Sequence, residues 1–184
     1  MSAKSFAVVM VVLAVVGLLG YGLLSKGGDT IAVGDTAPDK QLERLDGSGT
    51  GEIADYGGHW VLVNFWASWC EPCRAESPAL ERFYSQHGGP RLTVLGINLD
   101  DTTDDANSFV DRYGLTYPQL REGDGRDRRD AFGMTGFPES FLVNPHGKLT
   151  LICRGPLDED NLNGEILEAV QGGKVTATHA PCRA

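Results

Sequence analysis

The chain has no surplus of positive charge: 16 lysines and arginines stand against 25 aspartates and glutamates, a formal net charge of -9. Nucleic-acid binding is thereby disfavoured, because phosphate neutralisation needs an excess of lysine and arginine on some face. The densest basic run, "REGDGRDRRD", balances its arginines with acids and reads as a solvated loop or helix face. The histidines, His59, His87, His146 and His179, form no triad or ligand constellation. Asp100, Asp101, Asp104 and Asp105 cluster without EF-hand spacing or a loop glycine, so helix capping accounts for them better than calcium. There is no internal repeat and no low-complexity segment. With 41% hydrophobic and 22% charged residues in 184, the chain is globular and of a length for one domain.

Charge is also missing between Phe6 and Leu24, "FAVVMVVLAVVGLLGYGLL". At about 1.5 Å per residue such a helix nearly spans a ~30 Å hydrocarbon core. No small-x-small cleavage site ends the run and no cysteine is there for a lipid, so residues 1–25 read as an uncleaved anchor, with a signal sequence as the alternative. Lys4 places the amino terminus in the cytoplasm. Residues 26–36 are then a polar tether, 37–172 the folded domain in the periplasm or its equivalent, and 173–184 a polar tail. That compartment tolerates disulfides.

Within the domain, the continuous apolar run "HWVLVNFWA" reads as a buried central strand. Helical spacing follows from Glu71 to His87, with Gly88 and Gly89 as stops and a kink expected at Pro78. "RLTVLGINLD" is a second strand, and residues 102–114 a helix with acids in its first turn. After a loop and short polar helix near 121–133, "SFLVN" and "LTLICR" flank "PHGK" as a hairpin turning at Gly147. A helix from Asp158 to Val170 closes the domain. This order predicts an α/β fold, a mixed sheet with helices on both faces.

Four cysteines are present, and two of them, in "FWASWCEPCRAE", carry the chemistry. Cys70 just before a helix faces unpaired N–H groups, which stabilise a thiolate and lower its pKa. Cys73, one turn in, is placed to resolve a mixed disulfide at Cys70. Pro72 in the first turn stiffens the pair. A purely structural bridge is a poor reading, because so short a loop removes little chain entropy. Zinc needs a second compact pair, and "HAPC", with His179 and Cys182, lies in the tail more than a hundred residues away. Cys153 shares a strand face with Leu149 and Leu151 and reads as a buried inert thiol, a bridge to Cys182 being the alternative. Trp69, abutting the nucleophile, reads as a substrate contact, whereas Trp60, Phe65 and Trp66 read as core.

"VLVNFWASWCEPCRAESP" followed by "GFPESFLVNPHGKL" resembles the membrane-anchored thioredoxin-like disulfide reductases of the TlpA and cytochrome c maturation (DsbE/CcmG-like) type, from about Val33 to the last helix. The resemblance implies a thioredoxin-like fold with no cofactor and no metal. It makes Pro138 the family's cis-proline, set against the CxxC and presenting backbone to a substrate peptide. It places active-site acids at Glu76 and Glu139, to tune thiol pKa or accept the Cys73 proton; ordinary surface acids are the plainer alternative. Asn64 departs from the buried aspartate of cytosolic thioredoxins, Phe137 from the smaller residue common before the proline, and Lys40 from an aromatic after "APD".

The expected activity is thiol-disulfide exchange in the reducing direction, on oxidised apocytochrome c first and on copper-site cysteines of a respiratory oxidase second. A membrane thiol reductase is the expected electron donor. Two other classes stay open. A thiol peroxidase would have a threonine where Ala67 stands, and a copper- or haem-handling protein would use the thiolates as ligands.

Overall fold

The computed structural model describes residues 10, 12–17, 31–172 and 182–183. The expected membrane helix falls largely outside them. Residues 10 and 12–17 are helical, and among the described residues no helix is long and apolar enough to cross a membrane.

Eight strands form one sheet in the order β2-β1-β5-β4-β3-β6-β7-β8. They are β1 (Leu42–Arg44), β2 (Thr50–Gly51), β3 (Trp60–Trp66), β4 (Leu92–Leu99), β5 (Gln119–Glu122), β6 (Glu139–Val143), β7 (Leu149–Arg154) and β8 (Cys182–Arg183). The centre, β3 with β4 and β4 with β5, is parallel, and the other pairings are antiparallel. The helices are α1 (Glu71–His87), α2 (Thr103–Tyr113), the short α3 (Arg126–Ala131) and α4 over 159–170, whose middle, Leu162–Ile166, winds as a π-helix.

β3 is apolar on both sides because both sides are covered. Leu62 and Trp66 join one buried cluster with Leu80 and Phe83 of α1, Phe109 of α2 and Ile166 of α4. Val61, Val63 and Phe65 join another with Ile97, Leu120, Phe132 and Phe141. Three helices thus cover one face. The other is closed by α3, the 3-10 turn Ile53–Tyr56 and the entering chain. α1 runs unbroken from Glu71 to His87 with Pro78 inside it.

Residues 31–36, read from sequence as tether, join this body: Gly34 N–H donates to the Leu149 carbonyl at 2.9 Å and Thr36 bridges Lys148. At the other end Cys182 pairs with Cys153 across β7 and β8 and is bonded to it. The expectation of an inert thiol at Cys153 is corrected accordingly. The bridge to Cys182 is the alternative that holds; a two-residue strand after a polar stretch has no hydrophobic period to favour it from sequence.

Candidate active site

Cys70 is the N-cap of α1, and its sulfur accepts the Cys73 backbone N–H at 3.1 Å. The local sequence dictates this: the Cys70 N–H closes a turn on the Ala67 carbonyl at 3.1 Å, and Pro72 falls where a helix needs no N–H donor. The two sulfurs are bonded, with Cα atoms 5.3 Å apart. Both cysteines are buried, whereas Trp69 between the turn and solvent is 56% exposed. Its indole stands edge-on to Phe137 at 5.5 Å, which brings the cis Phe137-Pro138 peptide beside the Trp69–Cys70 turn. The structure thus brings Trp69, beside Cys70, together with Phe137, beside Pro138, while Pro72 and Cys73 follow in the first turn of α1. Arg129 of α3 lies 5.8 Å from the Phe137 ring and pairs with Asp100 at 2.8 Å, flanking it with charge.

The two glutamates part company. Glu76 lies one turn after Cys73 on α1, almost wholly buried, accepting from Asn64 Nδ2 at 2.9 Å and Leu157 N at 2.8 Å. Asn64 also donates to Ser140 Oγ at 3.0 Å. Burial pushes the Glu76 carboxyl up to about 8, against the two hydrogen bonds that favour its charge. Glu139 points to the opposite face of β6, since Ser140 beside it is opposite Asn64 and strand side chains alternate. Its carboxylate is taken up by Thr135 N and Oγ at 2.7 Å, by Gly136 N and by Arg154. That set holds the loop leading into Pro138.

Residues that the sequence does not assign to the site also border it, Asp101 among them, which reads from sequence as a helix cap. Asp101 accepts from Ser68 N at 2.6 Å and Ser68 Oγ at 2.7 Å. Within the acidic quartet only Asp104 and Asp105 occupy the first turn of α2, which Thr102 caps. Asp100 instead takes a left-handed backbone (φ 63°). Their proximity in sequence hides three different jobs. A Cβ added at Gly96 of β4 would meet Gln119 Oε1 at 1.9 Å, so the Gln119 side chain would have to move and its acceptance of Trp66 Nε1–H would be disturbed. Among the described residues no group of three or more His, Cys, Asp or Glu side chains could hold a metal ion.

A model of the AhpC/TSA family matches residues 33–152. The chain belongs to this family. It is 37% identical over 138 residues to the thiol:disulfide interchange protein HelX of Rhodobacter capsulatus, covering 74% of this chain and 76% of HelX. To the thiol-disulfide oxidoreductase ResA of Oceanobacillus iheyensis it is 33% identical over 135 residues, 72% of this chain and 70% of ResA. The crystal structure of a thiol:disulfide interchange protein DsbE from Chlorobium tepidum superposes with a TM-score of 0.70 at 31% identity, over 77% of this chain and 99% of that one. With the Cys70–Cys73 bridge at the helix terminus of a thioredoxin-like fold, the chain is a TlpA/CcmG-like thiol-disulfide oxidoreductase.

Proposed function

We propose that the chain reduces protein disulfides at the outer face of the cytoplasmic membrane, with the haem-binding cysteines of apocytochrome c as its foremost substrate. Copper-site cysteines of a respiratory oxidase are the second candidate. The observation that carries the reading is the Cys70 sulfur at the start of α1, accepting a backbone N–H. A group so placed is a good thiolate and a good leaving group, which speeds exchange in either direction, so donation to a substrate rests on the potential of the pair lying below that of the substrate disulfide.

In the proposed cycle the Cys70 thiolate attacks a substrate disulfide, forming a mixed disulfide and releasing one substrate thiolate. Cys73 then attacks the Cys70 sulfur and expels the second substrate thiolate, leaving the Cys70–Cys73 bridge. Glu76, one turn after Cys73, takes the Cys73 proton. A carboxyl raised to about 8 is well matched to a thiol of about 8.5: its ionised fraction takes the proton, whereas the protonated majority at neutral pH must first release its own to solvent. Trp69, Phe137 and Pro138 would receive the substrate backbone, with Glu139 fixing the loop that presents them. The uncharged run Phe6 to Leu24 would tether the domain beside a membrane thiol reductase that restores the dithiol.

The test is the equilibrium reduction potential of Cys70–Cys73, together with reduction of an apocytochrome c peptide bearing its CxxCH cysteines as a disulfide. A potential near about −270 mV with turnover of the peptide is the expected result. A potential near about −120 mV would make the protein an oxidant and end the proposal.

A further inference from the structure

We propose that Asp101 is a positioning residue for disulfide exchange: its carboxylate fixes Ser68, and through Ser68 the turn that presents Trp69 and Cys70 against Phe137. This rests on Cys70 being the attacking thiol.

Asp101 follows the end of β4, only 7% exposed. Both carboxylate oxygens are used. One accepts Ser68 N at 2.6 Å and Asn98 Nδ2 at 2.6 Å; the other accepts Ser68 Oγ at 2.7 Å. Among the described residues no lysine or arginine forms an ion pair with it; Arg121 donates to its backbone carbonyl, at 2.8 Å. A carboxylate drawn out of water without a cation is costly unless neutral donors satisfy it, and here two of three come from one residue. Helix capping does not explain the investment, because Thr102 performs it for α2.

Ser68 is correspondingly saturated. Its N–H and hydroxyl go to Asp101, and its carbonyl accepts Arg74 Nε at 2.9 Å from within α1. Arg74 is steadied in turn by Glu71 at 3.1 Å. Ala67 on one side is fully buried, and the Cys70 N–H closes back on its carbonyl. The backbone of residues 67–70 is thus pinned from β4 and from α1 at once. What remains free is the Trp69 side chain, offered to solvent beside Phe137. Thiol exchange needs near-linear attack along three sulfurs, so a displaced turn loses rate even when the fold survives. Misplacement of about 1 Å can cost about a hundredfold.

The experiment uses the full chain, reduced, with three variants: Asp101→Ala, Asp101→Asn and Ser68→Ala. Iodoacetamide alkylation of Cys70 across pH reports the thiolate, kcat and KM with a peptide disulfide report presentation, and Tm reports the fold. Asp101→Ala is expected to lower kcat/KM by about a hundredfold and to move the alkylation midpoint upward. Asp101→Asn, whose amide oxygen still accepts Ser68 N–H, should recover part of both. Ser68→Ala, which loses one hydrogen bond to a charged group and is the mildest for folding, should fall by roughly tenfold. If folded Ser68→Ala and Asp101→Asn show a lower Tm but wild-type midpoint, kcat and KM, Asp101 is merely structural and the proposal is overturned. If wild-type Cys70 itself fails to alkylate ahead of Cys73, the assignment of the attacking thiol is wrong instead, and the two failures are distinguished.

Discussion

The two disulfides place the same bond in two surroundings. Burial does not tell them apart, since Cys70, Cys73, Cys153 and Cys182 are all at most 4% exposed. Their anchorage does. Cys70–Cys73 spans a separation of 3 at a helix N-terminus, next to an exposed tryptophan. Cys153–Cys182 spans a separation of 29 and joins residues that face each other across β7 and β8. Chain entropy alone makes the first worth roughly 2 kcal/mol to the folded state and the second roughly 3.5 kcal/mol. For the first, the helix terminus also stabilises the thiolate of the reduced form, which lowers the advantage of oxidation further. A redox pair needs that near balance, and a clasp needs its absence.

The comparison breaks most sharply at Cys70. Cys70→Ser is expected to abolish exchange with a peptide disulfide, whereas Cys73→Ser should accumulate a mixed disulfide visible by intact mass. Replacing Cys153 and Cys182 together by serine should leave exchange intact and remove roughly 3.5 kcal/mol of stability, read as a lower denaturant midpoint at the same pH. In a dithiol buffer poised to reduce the first bridge, the native protein should show two reactive thiols. Four thiols at that potential would mean that the second bridge is also redox-active, and the division drawn between them would fail.

Much of this was legible. β3, β4, α1, α2 and the hairpin of β6 and β7 carry strong periods and turn residues, and Gly147 indeed turns the hairpin at φ 73°. The short elements were not, since β1, β2, β5 and β8 are 3, 2, 4 and 2 residues long and owe their pairing to neighbours rather than to pattern. At the site, Cys70 and Cys73 announce their chemistry by their spacing together with the helix start that follows Cys70. Pro138 and Trp69 needed context, which the structure supplies by placing Phe137 against the indole. The two glutamates look equivalent in sequence; the structure separates Glu76, bonded to Asn64 from α1, from Glu139, which the register of β6 turns to the other face of the sheet. Asp101 was hidden because an aspartate beside a helix start resembles a cap, and its contact with Ser68 spans 33 residues.

Glu76 offers the finest division between the two bridges, because its titration belongs to the first. Its carboxyl is raised to about 8 by burial, above the ordinary 4.5 that it recovers on unfolding. Between those values the unfolded chain gives up a proton that the folded chain keeps. Stability must therefore fall as pH rises through that window, by at most about 1.4 kcal/mol per pH unit, and level off on either side. Glu76→Gln, which keeps the shape and an acceptor for Leu157 N–H, should flatten that slope in denaturant titrations of the oxidised protein at pH 5, 6 and 7. The serine pair at 153 and 182 should lower the whole curve without changing its slope, although Ser140, opposite Cys153, bonds to the same Asn64. A slope altered by the serine pair would show that the polar contacts from Glu76 through Asn64 to Ser140 couple the bridges. An unaltered one confines proton handling to the helix that carries Cys73.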